Sequence, residues 1–148
     1  MKVVFGCDHG GIVLKPEIIS HLEKKGIEVI DVGAYDDSSS DYPVFGELAA
    51  RAVQRGEADF GIVVCGTGIG ISITANKVPG IRCALVHDTF SAHATREHND
   101  ANMLAMGARV IGAGLALDII DIFLGTGFSG EERHQRRIDG ITRVENEQ

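Results

Sequence analysis

Four segments of the sequence contain residue types that are suited to catalysis or ligand binding. Cys65 and the residues after it form the first. The thiol precedes a loop, Gly66 to Gly70, in which glycine occupies every second position. Glycines so closely spaced let backbone N–H groups converge on an anion, and a thiolate is favoured where it precedes a helix. We therefore expect an anion or oxyanion site beside a candidate base. A tight strand-to-helix turn beside a packed, inert cysteine is the structural alternative.

The spacing of this loop argues against a nucleotide site. Its pattern is GxGxG, formed by Gly66, Gly68 and Gly70. A dinucleotide fingerprint needs GxGxxG, and a P-loop ends in Lys followed by Ser or Thr. Neither pattern is present, so the loop supports a nucleotide ligand only weakly.

Two histidines lie beside other polar groups, His9 after Asp8 and His98 before Asn99. Imidazole titrates near neutral pH, so these pairs favour acid–base catalysis, with a surface or capping role as the alternative. Asp8, His9 and His98 could also ligate a metal, but no HxH or HExxH spacing supports this. We expect neither a metal nor a cofactor. The histidines taken as structural or solvated are His21, His87 and His93.

An arginine cluster late in the chain suits a phosphate group. Arg133 and Arg137 are four residues apart, so they share one face of a helix. Guanidinium forks bind phosphate through paired hydrogen bonds, although a solvated charged helix is the alternative. The formal net charge is −7. An acidic chain with one local cationic cluster fits a small anionic ligand better than a nucleic acid.

Length and composition predict one domain of ordinary globular type. The chain has 148 residues, of which 44% are hydrophobic and 24% charged. No apolar stretch is long enough to predict a membrane-spanning helix. Cys7, Cys65 and Cys83 are too widely spaced for a zinc motif and odd in number for a disulfide framework. We therefore expect a cytoplasmic protein that does not bind membranes.

Strand and helix patterns alternate along the chain. The predicted strands span residues 2–6, 27–32, 60–64, 81–86 and 108–111. The later predicted helices span residues 70–77, 89–97, 115–124 and 131–138. This alternation predicts an α/β fold in which a five-stranded parallel sheet is covered by helices on both faces. Ligands bind at the carboxyl ends of such strands, so we expect the four polar segments to converge there.

A thiol, an oxyanion loop, two histidines and a phosphate clamp together suit one reaction. Proton transfer next to the carbonyl of a phosphorylated substrate uses all of them. A nucleotide-binding module would leave Cys65, His98 and the arginines unexplained.

Eight short segments, which occur in a fixed order along the chain, carry a resemblance to a known family. They are Gly6-Cys7-Asp8-His9-Gly10-Gly11, Asp41-Tyr42-Pro43, Cys65 to Ser72, Ala75-Asn76-Lys77, Gly80-Ile81-Arg82, His98-Asn99-Asp100, Gly107 to Gly112 and Arg133-His134-Gln135-Arg136-Arg137. Through these segments the chain resembles the ribose/galactose isomerase family from about residue 3 to residue 142.

The resemblance implies a Rossmann-like three-layer α/β/α sandwich and a metal-free aldose–ketose isomerase acting on a sugar phosphate. Ribose 5-phosphate and ribulose 5-phosphate are the expected pair. It implies that Cys65 is the general base and His98 the acid that opens the sugar ring, with Asp8 and Thr67 assisting proton transfer. The positions that it assigns to substrate binding are Asp8, His9, Tyr42, Gly66, Thr67, Gly68, Ile69, Gly70, Asn99, Arg109, Arg133 and Arg137.

The same resemblance implies a homodimer, or a dimer of dimers, with each active site built from two subunits. The whole chain, residues 1–148, would form one domain whose C-terminal segment, from about residue 126 to residue 148, reaches the partner. Two alternatives stay open. One is an isomerase of a six-carbon sugar phosphate such as allose 6-phosphate or galactose 6-phosphate, and the other is a flavodoxin-type nucleotide-binding module.

Overall fold

A five-stranded parallel sheet forms the centre of the computed structural model, which describes residues 1–147. In chain order the strands are β1 (Lys2–Cys7), β2 (Glu28–Asp31), β3 (Phe60–Cys65), β4 (Cys83–Leu85) and β5 (Met103–Gly107). Their spatial order is β2-β1-β3-β5-β4, and every neighbouring pair is parallel. The predicted α/β class with five parallel strands is confirmed.

Helices cover both faces of this sheet. They are α1 (Lys15–Lys24), α2 (Tyr42–Gln54), α3 (Ile69–Ala75), α4 (Thr89–Asn99), α5 (Ala113–Gly125) and α6 (Glu132–Asn146). One core contains Leu22 of α1, Ala92 of α4 and Phe123 of α5, and the other contains Ala49 of α2 and Ile71 of α3. The molecule therefore has the predicted three layers. Within residues 1–147, no helix is both long enough and apolar enough to cross a bilayer.

The central strands are nearly continuous apolar runs because both of their faces are covered. Along β1, Val3 and Phe5 belong to one core, and Val4 belongs to the other. Gly6 lets α2 approach the same strand closely, since a β-carbon there would lie 3.0 Å from the carbonyl oxygen of Phe45. Close packing on both faces leaves the ends of the strands as the sites where polar residues gather.

The fifth strand is Met103–Gly107, and the prediction of a strand at residues 108–111 is wrong. All five residues of β5 are buried between β3 and β4, which pair with it on either side. Residues 108–111 form a turn instead. The N–H groups of Val110 and Ile111 both donate to the carbonyl oxygen of Gly107, and Val110 is 54% exposed. The pattern was misread because Val110 and Ile111 have high β-propensity.

Other predicted boundaries differ by a few residues or more. Helix α6 continues to Asn146, well beyond the predicted end at residue 138. Strand β4 is shorter than predicted, because only Cys83–Leu85 pairs with β5. Helix α6 extends because its buried side, which includes His134 and Ile138, packs against α4. Tertiary contact of this kind stabilises a largely polar helix that has a weak sequence signal.

The direction of the helices follows from the parallel sheet. Each crossover carries the chain from the carboxyl edge, where strands end, back to the amino edge, where they begin. Helix α4 starts after β4 and ends before β5, so Thr89 lies at the carboxyl edge and Asn99 at the amino edge. Helix α5 runs in the same direction and ends at the amino edge. Helix α6 follows it and therefore begins at that edge.

Arg96 is a buried cation that joins three segments at the amino edge. Its side chain donates to Asp100 Oδ1 at 2.7 Å, to the carbonyl oxygen of Ala101 at 2.8 Å and to that of Thr126 at 3.3 Å. The guanidinium lies over the Phe60 ring, 4.8 Å from its centroid. These contacts tie the ends of α4 and α5 to the start of β5.

Replacing Arg96 by Met keeps an apolar stem but removes every donor. The carbonyl oxygens of Ala101 and Thr126 then lose buried partners, so we expect the free energy of unfolding to fall by about 2–4 kcal/mol. Arg51 provides a matched control, because its exposed side chain pairs with Glu47 on the same helix. Arg51→Met should change stability by about 0.5 kcal/mol or less. Urea unfolding of both variants measures this, and equal losses would contradict the assignment.

Candidate active site

Cys65 ends β3 at the carboxyl edge, with its sulfur directed into the following loop. The N–H of Gly68 donates to Cys65 Sγ at 3.1 Å, within a buried part of the loop. A backbone donor aimed at sulfur stabilises the negative charge of a thiolate. Gly68 has φ of +77°, a conformation that glycine adopts without strain. The glycine at this position therefore sets the direction of the donor.

Some of the other N–H groups of the loop have no partner in the protein and can serve a ligand. Among residues 1–147, those of Gly66 and Thr67 have no protein acceptor. The N–H of Ile69 donates to Thr67 Oγ1 at 3.2 Å, which fixes the hydroxyl over the start of α3. Gly70 lies in the first turn of α3, where N–H groups have no partner within the helix. This arrangement confers the capacity to bind an oxyanion next to the thiol.

Close backbone contacts hold the loop in place. Arg109 lies over Gly66, with its guanidinium Nη1 3.0 Å from where a β-carbon would be. The Tyr42 ring packs against Gly70, and a side chain at that position would overlap it. Gly107, at the end of β5, faces the backbone of Thr67 just as closely. The predicted residues Tyr42 and Arg109 therefore both lie against the glycine loop that follows Cys65.

Asp8 and His9 follow β1 and reach the same edge of the sheet. Asp8 is 5% exposed, and its Oδ1 accepts the N–H groups of Gly10 at 2.9 Å and Gly11 at 3.1 Å. His9 and Ser40 are joined by two reciprocal hydrogen bonds of 3.1 Å, one to Ser40 Oγ and one to His9 Nδ1. Because a backbone N–H only donates, Nδ1 is an acceptor and the neutral ring carries its proton on Nε2.

The three thiols lie in different environments. Burial raises the pKa of the Cys7 thiol to about 11 and that of the Cys83 thiol to about 12. Both therefore stay protonated and unreactive near neutral pH. The sulfur of Cys65 accepts the N–H of Gly68, from the glycine loop. The predicted packing roles of Cys7 and Cys83 fit these surroundings.

His98 and Asn99 lie at the other end of the molecule, in the last turn of α4. His98 Nε2 is 3.3 Å from Glu97 Oε2, and the His98 ring lies 4.5 Å from the ring of His134 on α6. Arg133 and Arg137 are exposed on α6 near this point, and Arg133 pairs with Glu131. The arginines predicted to bind phosphate therefore lie near His98 rather than near Cys65.

The predicted residues thus form two groups on opposite edges. We call the first the thiol half-site, which consists of Asp8, His9, Tyr42, Cys65, Gly66, Thr67, Gly68, Ile69, Gly70 and Arg109. We call the second the histidine half-site, which consists of the predicted residues His98, Asn99, Arg133 and Arg137 together with His134, which was not predicted. Helix α4 has 11 residues, so it separates the edges by about 16 Å. Among residues 1–147, no hydrogen bond or ion pair joins the two groups, and the expected convergence does not occur within one chain.

Three further residues at these groups were not predicted. Ser40 holds His9, His134 stacks on His98, and His87 Nε2 accepts the N–H of Gly107 at 2.9 Å. The position of His87 directly after β4 was the available signal, but a single histidine there does not reveal its partner. Among residues 1–147, no three His, Cys, Asp or Glu side chains are grouped to hold a metal ion.

Gly68→Ala tests the role of this glycine, with Gly26→Ala as the control. Both glycines have nearly the same φ, +77° and +75°, but only at Gly68 would a β-carbon meet backbone, 2.7 Å from the Met106 carbonyl carbon. We expect Gly26→Ala to cost about 1–2 kcal/mol of stability, and Gly68→Ala about 2–5 kcal/mol. Alkylation of Cys65 by iodoacetamide should slow only in Gly68→Ala. Equal behaviour of the two variants in urea unfolding and alkylation would refute this role.

Comparisons with known proteins identify the family of this chain. Residues 3–141 match the family model described as Ribose/Galactose Isomerase. The chain is 49% identical to ribose-5-phosphate isomerase B of Escherichia coli over 144 residues, which cover 97% of this chain and 96% of that protein.

Two solved structures are similar over nearly the whole length. Clostridium thermocellum ribose-5-phosphate isomerase B is 54% identical with a TM-score of 0.97, covering 99% of both chains. The Mycoplasma genitalium ribose-5-phosphate isomerase B with bound ribulose 5-phosphate is 41% identical with a TM-score of 0.93, covering 99% of this chain and 97% of that one. The chain belongs to the ribose/galactose isomerase family.

Proposed function

We propose that this protein is an aldose–ketose isomerase that interconverts ribose 5-phosphate and ribulose 5-phosphate. The observation that carries the proposal is Cys65 at the oxyanion loop, in a chain whose relatives are ribose-5-phosphate isomerases B. The relative from Mycoplasma genitalium holds ribulose 5-phosphate. The six-carbon alternative is supported by the galactose-6-phosphate isomerase subunit LacB of Clostridium acetobutylicum, which is 46% identical over 141 residues. Ribose-5-phosphate isomerases B are at least as similar, at 49% and 54% identity, which favours the pentose phosphates.

Proton transfer is assigned to the thiol half-site. In the open-chain aldose, the Cys65 thiolate takes the proton from C2 and the carbonyl oxygen becomes an oxyanion. The resulting cis-enediolate receives the proton at C1, and Thr67 Oγ1 moves a proton between O1 and O2. The N–H groups of Gly66, Thr67 and Gly70 bind the oxyanion, since that of Gly68 serves the sulfur. Each such donor contributes about 2.7–4 kcal/mol of transition-state stabilisation.

Phosphate binding is assigned to the histidine half-site, and ring opening to His98 of that half-site together with Asp8 of the thiol half-site. Ribose 5-phosphate is a furanose, so the aldehyde forms only after the C1–O4 bond breaks. His98 donates a proton to O4, while a base takes the proton of the O1 hydroxyl. Asp8 is the candidate for this base through Oδ2, because its Oδ1 is engaged by Gly10 and Gly11. Arg133 and Arg137 bind the phosphate, and Asn99 binds a sugar hydroxyl.

The opposite positions of the half-sites require a second subunit. Substrate must contact Cys65 and His98 within one site, yet α4 separates the two in each chain. A two-fold axis brings the histidine half-site of one chain to the thiol half-site of the other, and it forms two equal sites. The segment from residue 126 onwards supplies the arginines to the partner. We assign the homodimer to the cytoplasm, where Cys65 stays a free thiol.

Cys65→Ala tests the reaction, with Cys83→Ala as its control. Wild-type protein should convert ribose 5-phosphate to ribulose 5-phosphate faster than it converts allose 6-phosphate or galactose 6-phosphate. Cys65→Ala should lose at least about 1,000-fold in kcat because the base is absent. Cys83→Ala should keep full activity, since Cys83 lies at the amino edge in β4. Equal loss in both variants would contradict the assignment of the base.

Mixing two inactive variants tests the shared site. Cys65→Ser and His98→Asn homodimers each lack one group in both sites. After subunit exchange, half of the dimers are hybrids with one intact site, so about a quarter of wild-type activity should return. If each chain built its own complete site, the mixture would stay inactive. Size-exclusion chromatography checks that both variants are dimers before and after mixing.

A further inference from the structure

His134 lies against the ring of His98, although no role has been given to it so far. The two ring centroids are 4.5 Å apart, with an angle of 36° between the planes. His98 is the last histidine of α4, and 44% of its side chain is exposed. His134 belongs to the first turn of α6 and is only 4% exposed. One ring is therefore free to reach substrate, while the other is fixed.

Ser129 fixes His134 from the opposite side. Ser129 Oγ is 2.7 Å from His134 Nδ1 and also accepts the N–H of Glu131 at 3.2 Å. The backbone N–H of Ser129 donates to the carbonyl oxygen of Glu97 at 3.0 Å. Glu97 precedes His98 directly. The contacts therefore run from α4 through Ser129 to His134 and back to His98 on α4.

Burial and the surrounding positive charges lower the pKa of His134 and so favour its neutral form. Its own burial, the neighbouring His98 and the Arg133 guanidinium lower the pKa of His134, with Arg137 adding to this and Glu131 opposing it. Two charged imidazoles at this distance would repel each other. A neutral His134 presents a π-surface to His98, which suits a protonated ring. Glu97 lies beside His98 Nε2 and pairs with it when that ring is protonated.

We infer that His134 is a positioning residue that holds the His98 imidazole in the orientation needed to open the sugar ring. The inference rests on the proposed function, and it concerns one step of that reaction only. Proton transfer between C2 and C1 takes place at Cys65 and does not involve either histidine. Loss of His134 therefore slows the conversion of the cyclic substrate and leaves the reaction of the open-chain substrate unchanged.

Ring opening and proton transfer can be measured separately, because only one of the two pentose phosphates is cyclic. Ribose 5-phosphate must pass through ring opening, in which O4 gains a proton, the C1–O4 bond breaks, and O1 loses its proton to form the aldehyde. Ribulose 5-phosphate is open-chain, because its O5 is phosphorylated and cannot close a five-membered ring on C2. Exchange of its C1 proton in D₂O therefore measures the enediolate step alone.

His134→Ala is the test variant, His134→Phe keeps a ring for stacking, and Gln135→Ala is the control on the same helix. For His134→Ala we expect kcat for ribose 5-phosphate to fall by about 10- to 100-fold, because a displaced catalytic group loses that much. KM and the C1 exchange rate of ribulose 5-phosphate should stay within about twofold of wild type. His134→Phe should recover most of kcat, and Gln135→Ala should resemble wild type.

Other outcomes overturn the inference. Equal loss of ribose 5-phosphate turnover and of C1 exchange would mean that His134 supports the fold or the whole site. A rise in KM alone would make it a phosphate ligand, and unchanged turnover would leave His98 independent of it. His98→Asn is the reference for a ring-opening defect. It should lower kcat for ribose 5-phosphate more than His134→Ala does and likewise leave C1 exchange of ribulose 5-phosphate unchanged. Failure of wild-type protein in both assays would instead refute the proposed function.

Discussion

The direction of helix α4 is the constraint on which the rest of this molecule depends. In a parallel sheet with helical crossovers, each helix must return the chain to the amino edge before the next strand begins. Cys65 ends a strand, whereas His98 ends a helix, so the two lie at opposite edges of one sheet. No local adjustment of loops brings them together. The proposed division of the site between two subunits follows from this chain direction.

Each half-site is organised by its own backbone. At the carboxyl edge, Gly68 turns its N–H towards Cys65 Sγ, which frees the donors of Gly66 and Thr67 for a ligand. At the amino edge, Arg96 binds the end of α4, and Asp100 adopts φ of +45° beside it. The aspartate in the His98-Asn99-Asp100 segment is therefore structural. It accepts from Arg96, and Arg82 donates to its backbone carbonyl.

Most elements of the fold could be predicted from periodicity, since β1 and β3 are apolar runs and α1 has a clear amphipathic spacing. The fifth strand could not. Met103–Gly107 includes Ala and Gly, whereas residues 108–111 include Val and Ile, so local β-propensity favoured the wrong segment. Pairing with β3 and β4 decides the strand. Likewise α6 extends to Asn146 because α4 covers its buried side.

The residue types of the site were already evident in the sequence, because a thiol before GxGxG, two paired histidines and two arginines four apart each suit one chemical task. The sequence by itself thus determined the class of reaction, and it predicted the groups that serve it. Only the tertiary structure decided where those groups lie and what supports them. The contacts of Ser40 with His9 and of His134 with His98 join segments that are distant in sequence. Periodicity along one chain carries no record of such contacts.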